Sequence, residues 1–211
     1  MNAFPLDSEG RCALCRSGLR GFDAAYSFGA YDGALREMVH LLKYRKMRAL
    51  AQPLGAFLLQ ALAHEESCDV IVPVPLHWRR HWDRGFNQSE LLAKAMAREA
   101  GLRVTNALRR VQPTATQAGL SNSARRRNVT QAFRCHRPGA VRGKRILLVD
   151  DVMTTGSTAT ACAQALKRAG AKRVALLTVA RVDRRLAGRQ RLPLNSGSSD
   201  FIMGRTVRNG E

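Results

Sequence analysis

The densest chemistry in the chain lies in the run Ile146-Leu147-Leu148-Val149-Asp150-Asp151-Val152-Met153-Thr154-Thr155-Gly156-Ser157-Thr158. Ile146 to Val149 read as a buried strand, and open α/β sheets bind their ligands just beyond the carboxyl ends of such strands. There the chain places two adjacent carboxylates, Asp150 and Asp151. An ionised carboxylate only accepts hydrogen bonds, so the pair suits the vicinal hydroxyls of a ribose, each of which has a proton to give. The turn from Thr154 to Thr158 then opens a helix, whose free N–H groups and positive dipole end hold a phosphate. Gly156 lets the backbone come close to that phosphate. The hydroxyls of Thr154, Thr155, Ser157 and Thr158 add donors. Acids for a sugar and amides for a phosphate, a few residues apart, point to ribose 5-phosphate.

Three other readings fail on particular residues. A P-loop needs Gly-Lys-Ser or Gly-Lys-Thr, and the chain has neither. A phospho-accepting receiver domain needs a further Asp at a later strand end. The acids after Asp151 are Asp183, Asp200 and Glu211, none of which follows a strand suitably. A plain capped helix explains one Asp and one Thr, but not two acids with four hydroxyls around a glycine.

The elements that must position this run alternate. Helical spacing marks Leu35 to Tyr44 and Ala49 to His64. Asp69 to Pro75 is a short strand stopped by Pro73 and Pro75. Gln88 to Ala100 is a helix closed by Gly101. Arg145 to Asp150 is a strand, Thr155 to Ala169 a helix ended by Gly170, and Arg173 to Ala180 a strand. Apolar strands separated by helices imply an α/β fold with a parallel sheet covered on both faces. The expected organisation is an appendage at 1–20, a domain at 21–182 and a loose Arg-, Gly- and Ser-rich tail at 183–211. No internal repeat is visible.

The 211 residues are 45% hydrophobic, enough for a single core. No apolar run approaches the roughly 18 residues of a membrane span. The N-terminus carries Asp7 and Glu9 where a secretory signal would be basic then apolar, so a cytoplasmic location is expected. The formal charge is +19, and no acid occurs between Glu99 and Asp150, a stretch with eleven cations. Such a one-signed surface attracts phosphates, of a small molecule or of a nucleic acid. Only six of the 35 basic residues are lysine, so part of the excess charge is compositional.

Five cysteines, an odd number, argue against a disulfide framework. Cys68 at a strand start and Cys162 within a helix read as small core residues, and Cys135 falls in a basic connector. Cys12 and Cys15 form a single Cys-x-x-Cys, half of a four-ligand zinc site. Two thiolates do not complete it, and His40 and His64 read as ordinary helix residues, so bound zinc is not expected. Trp78, Arg79, Arg80, His81, Trp82, Arg84 and Phe86 interleave aromatic and basic side chains, as in some single-strand binders. The favoured alternative has Trp78 and Phe86 packing beneath a phosphate-binding loop.

The run from Ile146 resembles the phosphoribosyl-pyrophosphate signature of type I phosphoribosyltransferases. The wider chain resembles the competence protein F (ComF) family. The matching pieces are Cys12-Ala13-Leu14-Cys15, Tyr31-Asp32-Gly33, Leu42-Lys43-Tyr44, Val72-Pro73-Val74-Pro75-Leu76-His77, Arg84-Gly85-Phe86-Asn87-Gln88, Gln117-Ala118-Gly119-Leu120 and Arg125-Arg126-Arg127-Asn128. The resemblance implies a type I phosphoribosyltransferase-like sheet, with Asp150 and Asp151 on the ribose hydroxyls. It places Thr154, Thr155, Gly156, Ser157 and Thr158 on the 5-phosphate. Pro73, Val74, Pro75, Leu76 and His77 would form the pyrophosphate loop. Its prolines have no N–H, which leaves Val74, Leu76 and His77 as its donors. Gln117 to Asn128, with Arg125, Arg126 and Arg127, would be the loop that closes over the substrate. Mg2+ is implied with phosphoribosyl pyrophosphate, because the leaving group needs its charge neutralised. The family commonly begins with two Cys-x-x-Cys pairs, of which this chain shows one.

Two functions follow. One is phosphoribosyl transfer to an unidentified acceptor. The other is a non-catalytic module handling single-stranded DNA in uptake or transformation, alongside competence-machinery proteins, with a sensing or vestigial ligand site. The sequence shows no nucleobase pocket and no general base, and a homodimer is left open.

Overall fold

The computed structural model describes residues 21–62, 67–76, 85–111 and 132–182. Four strands form a parallel sheet: β1 (Ala24–Ala30), β2 (Val70–Pro73), β5 (Arg145–Met153) and β6 (Arg173–Arg181), in the order β1-β6-β5-β2. The central strand β5 is apolar on both sides, as a sheet covered on both faces requires. Ile146 and Leu148 enter one buried cluster, with Val70, Val72, Val174 and Leu176. Leu147 and Val149 enter the other, with Ile71, Leu177 and Val179.

The second cluster is roofed by α1 (Gly33–Tyr44), α2 (Ala51–Leu62) and α3 (Gln88–Ala100), through Val39, Leu42, Leu54, Leu58, Leu92 and Met96. The first is covered by α4 (Ser157–Arg168) and a two-stranded antiparallel sheet, β3 (Leu108–Arg110) with β4 (Phe133–Cys135). This is the expected α/β layering. Gly101 closes α3 with φ +65°, a left-handed value that glycine reaches without a Cβ clash.

Several boundaries differ from the sequence reading. Strand β5 runs on past Asp150 to Met153, so Asp151 also lies within it rather than after it. Helix α4 starts at Ser157, leaving Thr154 and Thr155 in the turn before it. The helix expected from Ala49 is α2, which starts at Ala51 after a 3-10 turn, Arg48–Leu50. Cys135 is not in a connector but in β4, half-buried against the first cluster. Cys162 is buried as expected, and Cys68 lies just before β2, half-buried.

Cys12, Cys15, His64, His77, Trp78, Arg84, Gln117, Arg125, Arg126, Arg127 and Asn128 lie outside the described residues. Among the described residues no helix is long and apolar enough to cross a membrane.

Candidate functional site

The carboxyl end of β5 carries the aspartates past the last buried leucine and valine. Successive strand residues point to opposite faces, and the two acids accordingly find different partners. Asp150 Oδ1 accepts from Ser89 Oγ at 2.8 Å and from the Asp151 amide at 2.9 Å. Asp151 is 4% exposed; its Oδ1 accepts from the Val152 amide at 2.6 Å, and Lys43 Nζ stands 2.9 Å from its Oδ2. That oxygen has the ammonium as a charge partner but receives no well-directed hydrogen bond.

Burial pushes Asp150 up to about 7, the neighbouring Asp151 charge adds to the rise, and Ser89, the Asp151 amide and Lys43 oppose it. Two acceptor-only groups were expected. At that value Asp150 is partly protonated near neutral pH in the free protein, and once ionised it is acceptor-only.

Lys43 comes from the last turn of α1, next to the buried Leu42. Its stem is mostly covered, with 16% of the side chain exposed. Ser89 sits in the first turn of α3 and is 1% exposed. The helix start itself is fixed by Asn87. Its Oδ1 accepts from the Ser89 amide at 3.1 Å and its Nδ2 donates to the Val74 carbonyl at 3.0 Å. A chain of hydrogen bonds thus runs from Val74 through Asn87 and Ser89 to Asp150. Phe86 is buried beneath this helix start, with the Arg48 guanidinium 5.0 Å from its ring centroid.

A cavity of about 270 Å³ opens over the acids. Tyr31, Lys43, Val74, Leu76, Arg110 and Thr158 are among the residues around it. A second hollow, about 60 Å³, lies against the start of α4, bounded by the turn from Thr154 to Ser157 and by Thr178. Asp150, Val152, Thr154 and Thr158 border both. Gly156 caps α4 with φ +75°, so a left-handed residue turns the chain into the helix. The first-turn N–H groups have no carbonyl one turn earlier to bond; the Ser157 amide donates weakly to Thr155 Oγ1 at 3.4 Å, and that oxygen lies 2.9 Å from Ser157 Oγ.

The pyrophosphate-loop expectation changes in one detail. The Val74 amide donates to the Val149 carbonyl at 2.9 Å, continuing the sheet. It is not free for a ligand, and of the three donors named from sequence Leu76 alone remains within the described residues. Sequence reasoning did not assign Lys43, Ser89, Tyr31 or Arg110 to this site. Tyr31 and Lys43 stood in recognised motifs without a role, and the long-range pairing that gives each its function leaves no local signal.

A family model described as "Phosphoribosyl transferase domain" matches residues 86–194. The DNA utilization protein YhgH of Escherichia coli O6:H1 is 38% identical over 170 residues, 77% of this chain and 74% of that protein. Competence protein F of Haemophilus influenzae is 30% identical over 178 residues, 81% of this chain and 78% of that protein. Among solved structures, a glutamine phosphoribosylpyrophosphate amidotransferase from B. subtilis is similar at TM-score 0.45 and 25% identity, over 61% of this chain and 26% of that one.

Proposed function

The chain belongs to the competence protein F family and carries its phosphoribosyltransferase-like domain, and from that premise we propose that its cavity binds 5-phosphoribosyl 1-pyrophosphate for transfer to an acceptor. The observation that carries this is the shared wall of the two hollows. Asp150, Thr154 and Thr158 border both a carboxylate-bearing cavity and a small hollow at a helix start. A ribose over the acids then places its 5-phosphate at the N–H groups of α4. The pyrophosphate would extend toward Leu76, Lys43 and Arg110, where two cations offset its charge.

Mg2+ fits the donor set as a companion of the ligand rather than a resident. Among the described residues no three His, Cys, Asp or Glu side chains gather to hold a metal. Magnesium is ordinarily held by one or two carboxylates with substrate phosphates and water. Asp150 and Asp151 supply that number. When bound, the ion would neutralise the departing pyrophosphate, while the chain's own residues orient the sugar and exclude water from it.

A second reading, handling of single-stranded DNA with the ligand site as a sensor, is favoured by the acid-free stretch between Glu99 and Asp150. The names of the relatives, DNA utilization protein and competence protein F, support it too. Pyrophosphate release by purified protein, with and without nucleobases or single-stranded DNA, separates the two. Acceptor-dependent release that disappears in Asp150→Asn/Asp151→Asn supports transfer. Ligand binding without release under any condition supports the sensor.

A further inference from the structure

Strands β3 and β4 pair so that Arg109 and Arg134 are direct cross-strand partners. Both are exposed. Directly opposite residues of an antiparallel pair hold their Cβ atoms about 5 Å apart, and like charges there are destabilising. Among the described residues neither guanidinium is in an ion pair. His136 lies two residues beyond Arg134, also exposed, with its amide bonded to Ala107 across the hairpin. The inward side chains are of another kind. Leu108 and Phe133 are buried, and Arg110 reaches the ligand cavity with its guanidinium 5.4 Å from the Phe133 ring. The hairpin thus keeps a repulsive cationic pair on its outer face, where nothing in the described fold neutralises it.

We propose that the Arg109–Arg134 face binds the phosphodiester backbone of single-stranded nucleic acid; this deepens the second reading above and rests on it. The planar guanidinium fork matches phosphate oxygens in bidentate fashion. A protein partner would call for a buried apolar or aromatic anchor at the centre of the contact. Among the described residues this face offers only Val111, 40% exposed at its margin. Phosphate contacts need charge alone. Strands β3 and β4 pack against α4 through their inner side, so among the described residues they form no free ribbon able to enter a duplex groove. A flexible single strand can follow such a face, whereas a duplex, stiff over about 150 base pairs, meets it over a short length.

The test is anisotropy of a labelled oligothymidylate with the full chain, its Arg109→Gln/Arg134→Gln variant, and Arg36→Gln/Arg98→Gln. The last pair removes equal charge from helices on the opposite face of the sheet. The hairpin variant should bind about tenfold or more weakly at low salt. Its log–log salt slope should be shallower by about 1.4, for two phosphates at about 0.7 each on a single strand. Its melting temperature should match or exceed that of the parent, because a like-charge pair has been relieved. The opposite-face variant should lose much less affinity.

If the parent protein binds no oligonucleotide even at low salt, the DNA reading falls together with this proposal. Binding by the parent that survives unchanged in the hairpin variant, or that falls equally in the control, overturns the proposal and leaves the DNA reading standing. Tighter binding of a duplex, or displacement of the oligonucleotide by polyglutamate at equal charge, also overturns it. A clear fall in melting temperature of the hairpin variant would assign the arginines to the fold instead.

Discussion

Ser89 Oγ donates to Asp150 Oδ1 at 2.8 Å, tying the first turn of α3 to the carboxyl end of β5. The bond spans 61 residues of sequence. It occupies one carboxyl oxygen together with the Asp151 amide and leaves the other for the cavity. Ser89→Ala should weaken phosphoribosyl-pyrophosphate binding by about 1 kcal/mol, the ordinary net value of one hydrogen bond. Losing a donor to the charged form should also move the pH midpoint of binding upward. Ser89→Thr, which keeps the hydroxyl, should restore the midpoint. A binding–pH profile for both variants checks this, and an unmoved midpoint in Ser89→Ala would mean that the serine only fills space.

Lys43 is the charge partner of the buried Asp151. Lys43→Met leaves that carboxylate without it, and removing one member of a buried pair costs about 3–5 kcal/mol. Adding Asp151→Asn removes the stranded charge and should recover most of the loss. Urea denaturation of the single and double variants measures the coupling. Equal stability of Lys43→Met and the parent would show that the pair contributes nothing.

The raised Asp150 acidity constant gives a signed pH dependence. Burial, with the Asp151 charge second, lifts it from 3.8 to about 7 in the fold. The folded state then holds this proton more tightly than the unfolded chain. Its contribution to stability is fully present at low pH and is lost as pH rises from about 4 through 7. Asp150→Asn should flatten that part of the profile and stabilise the protein at pH 8 by on the order of 4 kcal/mol. Ligand affinity in the parent should move the other way, rising through about pH 7 as Asp150 ionises. Thermal melts from pH 5 to 8 on parent and variant, without and with phosphoribosyl pyrophosphate, test both signs.

Much of this was legible in the sequence because the central sheet follows simple rules. The apolar run of β5, the glycine closing α3 and the glycine between β5 and α4 each carry a local physical signal. Strand β1 carries none: Ala24, Ala25, Ser27 and Gly29 have little strand character. It is held from outside by β6, where Ser27 Oγ lies 2.7 Å from the otherwise buried Thr178 Oγ1. The β3–β4 hairpin was hidden for a related reason. Each strand is three residues long, and arginines fill its outward positions, so the alternation is too short to read. In the site, adjacent acids suggested two equivalent carboxylates. They have different partners, Ser89 for Asp150 and Lys43 for Asp151, which reach them from helices distant in sequence.

Calorimetric titration of the full chain with phosphoribosyl pyrophosphate and Mg2+, beside Asp150→Asn/Asp151→Asn, bears most directly on the binding site. The expected result is saturable one-site binding to the parent. The double variant should melt as a folded protein yet lose several kcal/mol of affinity, since hydrogen bonds to charged groups are worth about 1.5–3 kcal/mol each. Unchanged affinity in a folded double variant, or no binding to the parent at all, would contradict the assignment of this cavity to a ribose 5-phosphate ligand.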